Sequence, residues 1–128
     1  MTIKRVLVVD DEIHIVHVVA IKLRNNGYEV LTAENGEQAY EIASTEKPDI
    51  IVTDCQMPVM NGLELVEKLR SDEELKNVPV IMLTARSFDI DEDIKQHLNI
   101  SECLSKPFSP KELLRNIEDV LFSTATNI

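Results

Sequence analysis

The chain has 128 residues, 44% apolar and 28% charged, which suits a single globular domain able to bury its own core. Thirteen Lys and Arg against 23 Asp and Glu leave a formal charge of -10, which opposes direct contact with nucleic acid or an anionic lipid surface. Two cysteines without metal-ligand spacing suit a reduced, cytosolic chain, no apolar run approaches the roughly 18 residues of a membrane span, and the N-terminus lacks a signal-peptide pattern.

In chain order, short β-branched runs alternate with helical patterns. Strands are predicted at residues 5–9, 28–32, 50–53, 78–83 and, more weakly, 102–105. Four are apolar on both sides of any alternation, as strands covered on both faces should be. The first helix spans 12–26, ends before Gly27 as its cap, and points Ile15, Val18, Val19 and Leu23 inward. The second spans 36–45 with Ala39, Ile42 and Ala43 inward. The third follows Asn61-Gly62 and buries Leu63, Leu65, Val66 and Leu69. The fourth spans 89–98, with Ile90, Ile94 and Leu98 on one side. The fifth starts at Ser109-Pro110, an N-cap followed by a proline at the first helical position, and turns Leu113, Leu114, Ile117, Val120 and Leu121 to the sheet. Residues 1–123 form the domain, and 124–128 a frayed tail.

Five strand–helix repeats imply an α/β fold, a parallel sheet with helices on both faces. Sites in such sheets lie at the carboxyl ends of the strands. Chemistry-bearing residues fall there: Asp10 and Asp11 after the first strand, Asp54 after the third, Thr84 after the fourth and Lys106 after the fifth. Three neighbouring carboxylates repel one another, and a hard divalent cation such as Mg²⁺ relieves the conflict through oxygen ligands. A carboxylate nucleophile beside a cation and a lysine fits formation of an acyl phosphate, with Thr84 offering a hydroxyl to a phosphoryl oxygen. Each residue also has a plainer reading. Asp11 would cap the next helix, Asp54 and Lys106-Pro107 would sit in turns, and Thr84 would be structural. Their joint placement at strand ends favours the site.

The segments VLVVDDE at 6–12, DIIVTDCQMPVMNG at 49–62, VIMLTA at 80–85 and SKPF at 105–108 resemble the receiver domain of two-component response regulators, over about residues 3–122. The resemblance implies a flavodoxin-like, doubly wound five-stranded sheet in the order 2-1-3-4-5 with five helices. It makes Asp54 the phosphoacceptor, Asp11 a direct Mg²⁺ ligand, Asp10 a ligand mainly through water, and the Gln56 backbone carbonyl a further ligand. Thr84 and Lys106 would meet the phosphoryl group, the Lys106–Pro107 peptide would be cis, and Met57-Pro58 with Asn61-Gly62 would shape the loop. The implied partners are a histidine kinase or phosphotransfer protein and a downstream effector or an output domain absent from the chain. Such a domain is a switch that catalyses only its own aspartyl phosphorylation and dephosphorylation. Readout would come from the fourth helix, fifth strand and fifth helix.

The sequence departs from the family at two places. Cys103 stands where an aromatic residue is usual, and Leu98-Asn99-Ile100 replaces a small-residue stretch, with Asn99 able to adopt a positive φ. Gln56 and Arg86 border the expected phosphoryl position. Ile13, Val16 and Ala20 form a second apolar stripe on the first helix, with two readings open: packing on the fifth helix, or a partner-docking face. His14 and His17 read as surface residues. The competing functions are a phosphorylation-independent binding module, which Cys103 keeps open, and a phosphatase of the dehalogenase type, which Gln56 opposes because that chemistry wants a second acid there.

Overall fold

The structure, a computed structural model, describes residues 3–85 and 90–122. Among the described residues ten elements alternate: β1 (Arg5–Val9), α1 (Ile13–Arg24), β2 (Glu29–Ala33), α2 (Gly36–Glu46), β3 (Ile50–Asp54), α3 (Gly62–Arg70), β4 (Val80–Thr84), α4 (Glu92–His97), β5 (Glu102–Ser105) and α5 (Pro110–Phe122). All pairings are parallel and the strand order is β2-β1-β3-β4-β5, the expected flavodoxin-like arrangement.

The period of two along each strand divides the core between the two faces of the sheet. Val6, Val8, Ile50, Val52, Ile81 and Leu83 pack with Val19, Leu23, Leu113 and Ile117 of α1 and α5. Leu7, Val9, Ile51, Val80 and Met82 pack with Ala39, Ala43, Leu65, Val66 and Leu69 of α2 and α3. Every residue of β3 and β4 is buried, which explains why those stretches read as unbroken apolar runs ending in Asp54 and Thr84.

Four local features differ from the sequence reading. β2 and β4 start one and two residues later than predicted; Pro79, just before β4, has no N–H to donate to the ladder, and its carbonyl instead accepts from Ile51. In α1 the buried residues are Val16, Val19, Ala20 and Leu23, while Val18 is 52% exposed. The predicted docking stripe therefore loses Val16 and Ala20 to the interior, and Val18 leaves the predicted core stripe. Finally, α4 is one and a half turns long and buries none of its own residues. Its anchors, Ile90 and Leu98, flank it, and Asn99 does take a positive φ of 53°. The predicted start of the fourth helix, Arg86 and residues 123–128 lie outside the described residues.

The helix ends follow capping chemistry. Asn35, Asn61, Asp91 and Ser109 each accept from a backbone N–H in the first turn of α2, α3, α4 and α5, and Asn61 with Glu64 completes a capping box. At α1 the N-cap Glu12 makes no such side-chain bond.

Candidate functional site

Because all strands run in one direction, their carboxyl ends share one edge, and that edge assembles the predicted residues. Oxygens of Asp10, Asp11 and Asp54 lie within 4.8 Å of one another. Asp10 and Asp54 are almost wholly buried, whereas Asp11 is exposed. Lys106 reaches in from the loop after β5, its Nζ 3.1 Å from Asp10 Oδ2 and 3.4 Å from Asp54 Oδ2. The Lys106 backbone N–H donates to the carbonyl of Thr84, 2.8 Å, so the ends of β4 and β5 fix the root of the lysine chain. Thr84 itself is fully buried at the end of β4. The Lys106–Pro107 peptide is cis.

The loop after β3 closes around Asp54. The Gly62 N–H donates to the Cys55 carbonyl, 2.9 Å, and a Cβ on Gly62 would sit 2.4 Å from the Asp54 carbonyl oxygen. Only glycine permits that approach. Gln56 is exposed at the start of this loop, and its backbone N–H bonds to the Asp54 carboxylate.

Among the described residues, charge is unbalanced at this edge. Burial, then the charge of Asp10, push the Asp54 carboxyl from an ordinary 3.8 up to about 6, despite the pull of Lys106. Burial also raises Asp10, against the Glu12 N–H and Lys106, which favour its charged form. For Lys106, burial opposes the charge, but the bond to Asp10, the charges of Asp10 and Asp54 and the bond to Glu12 raise it on balance. Among the described residues, one lysine therefore faces three converging carboxylates. A set of oxygen donors with excess negative charge and one exposed member fits a hard divalent cation.

The structure corrects one plain alternative and adds one residue. Asp10, not Asp11, bonds into the start of α1, its Oδ1 accepting from the Glu12 N–H at 2.9 Å. Glu12, which the sequence reading passed over, places Oε1 3.2 Å from Lys106 Nζ. The available signal was a third acid directly after the Asp10-Asp11 pair. His14 and His17 do not join the carboxylate cluster.

Cys103 pairs with Met82 across β4 and β5 and is partly buried against the core on the side of α2 and α3. Burial pushes its thiol pKa up. On the other face, a groove of about 470 Å³ between α1 and the β5–α5 loop is lined by Ile15, Val18, Pro107 and Phe108, and also by Glu12 and Lys106. It therefore opens beside the carboxylate edge. Among the described residues no helix is long and apolar enough to cross a membrane.

Comparison with known proteins gives a consistent picture. The sequence pattern of the response regulator receiver domain matches residues 6–118. The alkaline phosphatase synthesis transcriptional regulatory protein PhoP of Bacillus subtilis is 39% identical over 118 residues, 92% of this chain and 48% of that protein. The phosphate regulon transcriptional regulatory protein PhoB of Pseudomonas aeruginosa is 38% identical over 94% of this chain and 53% of its own length. The chain thus spans about half the length of these curated relatives. Among solved structures, the chemotaxis response regulator CheY4 of Vibrio cholerae superposes with a TM-score of 0.87 at 37% identity, covering 94% of this chain and all of that one. The receiver domain of a sensor histidine kinase from Pseudomonas aeruginosa, which has a magnesium ion coordinated in its active site cleft, superposes with a TM-score of 0.83 at 30% identity, covering 94% and 98%.

Proposed function

Since the chain belongs to the response regulator receiver domains, we propose that it is a phosphorylation switch in which Asp54 accepts a phosphoryl group from a histidine kinase or a histidine phosphotransfer protein in the cytoplasm. The observation that carries this reading is the meeting of Asp54, Asp10 and Lys106 at one sheet edge, although they are far apart in the chain. An Asp54 oxygen attacks phosphorus and forms the new O–P bond. The bond from phosphorus to the donor nitrogen breaks, and its electron pair leaves with the imidazole. Lys106 offers its ammonium to the phosphoryl oxygens, and the Thr84 hydroxyl offers a hydrogen bond once the phosphoryl group is in place. The rigid ends of β3, β4 and β5 hold these groups in position.

Asp10, Asp11, Asp54 and the backbone carbonyl of Gln56 would hold Mg²⁺, and the bound ion would supply the positive charge that Lys106 alone does not. The domain carries out only its own phosphorylation and dephosphorylation and is not a turnover enzyme. The added charge biases a two-state equilibrium. The readout element is α4, since it buries none of its own residues and is held by what flanks it. A thiol at Cys103 replaces the bulky ring that this family usually rotates there.

The donor docks on α1. This helix contains no Asp or Glu in a chain of charge -10, and exposes Ile13, Val18 and Ile21 beside His14, His17 and Lys22. The groove beneath it leads to Lys106.

The test is to incubate the protein with Mg²⁺ and acetyl phosphate and weigh it intact. The expected result is a gain of one phosphoryl group that is absent in Asp54→Asn. No gain from acetyl phosphate or from a histidine donor would favour a phosphorylation-independent binding module. Sustained hydrolysis of an external phosphate ester would favour an enzyme.

A further inference from the structure

Lys106 has three N–H donors and three carboxylates around it: Asp10 at 3.1 Å, Glu12 at 3.2 Å and Asp54 at 3.4 Å. The three acceptors differ in what it takes to release them. Asp10 is fully buried, and its other oxygen already accepts the Glu12 N–H. Asp54 is the group that reacts in the proposed function. The Glu12 side chain is 48% exposed, so water can replace the lysine there.

A second observation isolates Glu12. It occupies the N-cap position of α1, where a side chain ordinarily accepts from the first turn, yet it makes no cap bond. Its carboxylate turns to Lys106 instead, with Oε2 3.8 Å from His14 Nε2. Its own N–H meanwhile bonds to Asp10. Glu12 thus touches the site network from both its backbone and its side chain, without being one of the three converging carboxylates.

We propose that Glu12 is a positioning residue that holds the Lys106 ammonium on the solvent side of the site in the resting state and yields it when Asp54 is phosphorylated. The proposal rests on the phosphorylation reading above. On phosphorylation the lysine must turn its donors to the new phosphoryl oxygens, and it has to give up an acceptor to do so. The half-exposed Glu12 is the least costly to leave. Because the pair stabilises the resting state and is absent from the transition state, Glu12 slows phosphorylation. It touches no reacting atom and acts through Lys106.

The test uses two readouts on the full chain. The first needs neither phosphodonor nor metal: exchange of the Lys106 ammonium protons with water, followed by NMR, with the signal assigned by its loss in Lys106→Met. Glu12→Gln keeps the side-chain length and removes the charge, and should speed this exchange. The second is phosphorylation by acetyl phosphate with Mg²⁺, followed by intact mass. A half-exposed ion pair lost only from the resting state corresponds to a rate gain of about fivefold in Glu12→Gln. That gain should shrink at high ionic strength and vanish in the Lys106→Met background. Unchanged proton exchange in Glu12→Gln would overturn the proposal whatever the phosphorylation rate does. So would a rate gain that persists undiminished in Lys106→Met, which would mean that Glu12 merely repels the anionic donor. If exchange responds as expected but the wild type takes up no phosphoryl group, the functional reading fails and the kinetic role of Glu12 falls with it.

Discussion

Among the described residues, Val59 is the one β-branched residue at a positive φ. The Met60 N–H donates to the Pro58 carbonyl at 2.8 Å, closing a three-residue turn around Val59, whose φ is 71°. That is the strained form of the γ-turn, and a β-branched side chain is a poor occupant of it. Two further bonds impose the turn: Gly36 N–H to the Met60 carbonyl and Gly62 N–H to the Cys55 carbonyl. Val59 is also 74% exposed, so burial returns little. Val59→Gly should therefore stabilise the domain by about 1 kcal/mol, after allowing for glycine's greater freedom in the unfolded chain. A higher urea midpoint with an unchanged slope is the expected result, and a lower midpoint would contradict the strain. The contrast with the site residues shows what sequence can convey at this scale. Asp10, Asp11, Asp54, Thr84 and Lys106 were legible because each follows a predicted strand, and position relative to a strand end is a one-dimensional property. The turn at Val59 was not, since ties from α2 and from the end of its own loop create it. Glu12 was missed for a similar reason: what it does depends on a lysine 94 positions away.

For the elements, alternation of strand and helix patterns was enough to locate all ten, but the facing of α1 and the length of α4 were misread. A helix between a sheet and another helix has apolar residues on more than one side, and periodicity alone does not say which side is solvent. In α1 the interior takes Val16 and Ala20, and the exposed apolar residues are Ile13, Val18 and Ile21. α4 read longer because Ile90 and Leu98 continue its period, although both lie outside it. Its carboxyl end is tied down by Arg70, which donates to the carbonyls of Leu98 at 2.8 Å and Asn99 at 3.1 Å, and also to those of Lys76 and Val78. The corrected phase of α1 changes the docking test. A charge at Val16 would be buried and would disturb folding, so the informative variant is Val18→Glu. It should leave stability within about 0.5 kcal/mol, as exposed substitutions do. Transfer from a histidine donor that phosphorylates the wild type should fall about tenfold, as for loss of one central interface contact. Phosphorylation by acetyl phosphate should be unchanged. Equal transfer rates from the histidine donor would place the docking face elsewhere.

For the whole molecule, gathering five parallel strand ends at one edge carries an electrostatic consequence. The fold buries Asp10 and Asp54 beside exposed Asp11, and Lys106 bonds to both buried acids. The shared edge could be inferred from the alternation of strands and helices, which implies a parallel sheet, and the strand order from the resemblance to the receiver family. The strength of the conflict could not, since it depends on how completely water is excluded. Its sign is testable. In metal-free protein the Asp54 carboxyl titrates near 6 when folded, against 3.8 ordinarily. Between those values the native state holds the additional proton, so its stability rises as pH falls through 6 toward 4. Above pH 7 the charged Asp54 destabilises the fold. Asp54→Asn should then be more stable than the wild type by about 1–2 kcal/mol at pH 7.5 in the presence of a chelator, less than the full shift because Lys106 loses a partner. Most of the advantage should disappear near pH 4, where the folded wild-type carboxyl is protonated and the unfolded one is partly so. Adding Mg²⁺ should reverse the order at neutral pH: an ion that binds only the folded protein stabilises it by about 2.7 kcal/mol at a hundredfold excess over its dissociation constant, and the variant lacks one carboxylate to hold it. Urea unfolding of both proteins at the two pH values, with chelator and with Mg²⁺, measures all of this. If Asp54→Asn gives no advantage at pH 7.5 without metal, or one that persists undiminished at pH 4, then the burial of a charged Asp54 beside Asp10 is not what the site stores. The affinity of this edge for a cation would then need another source.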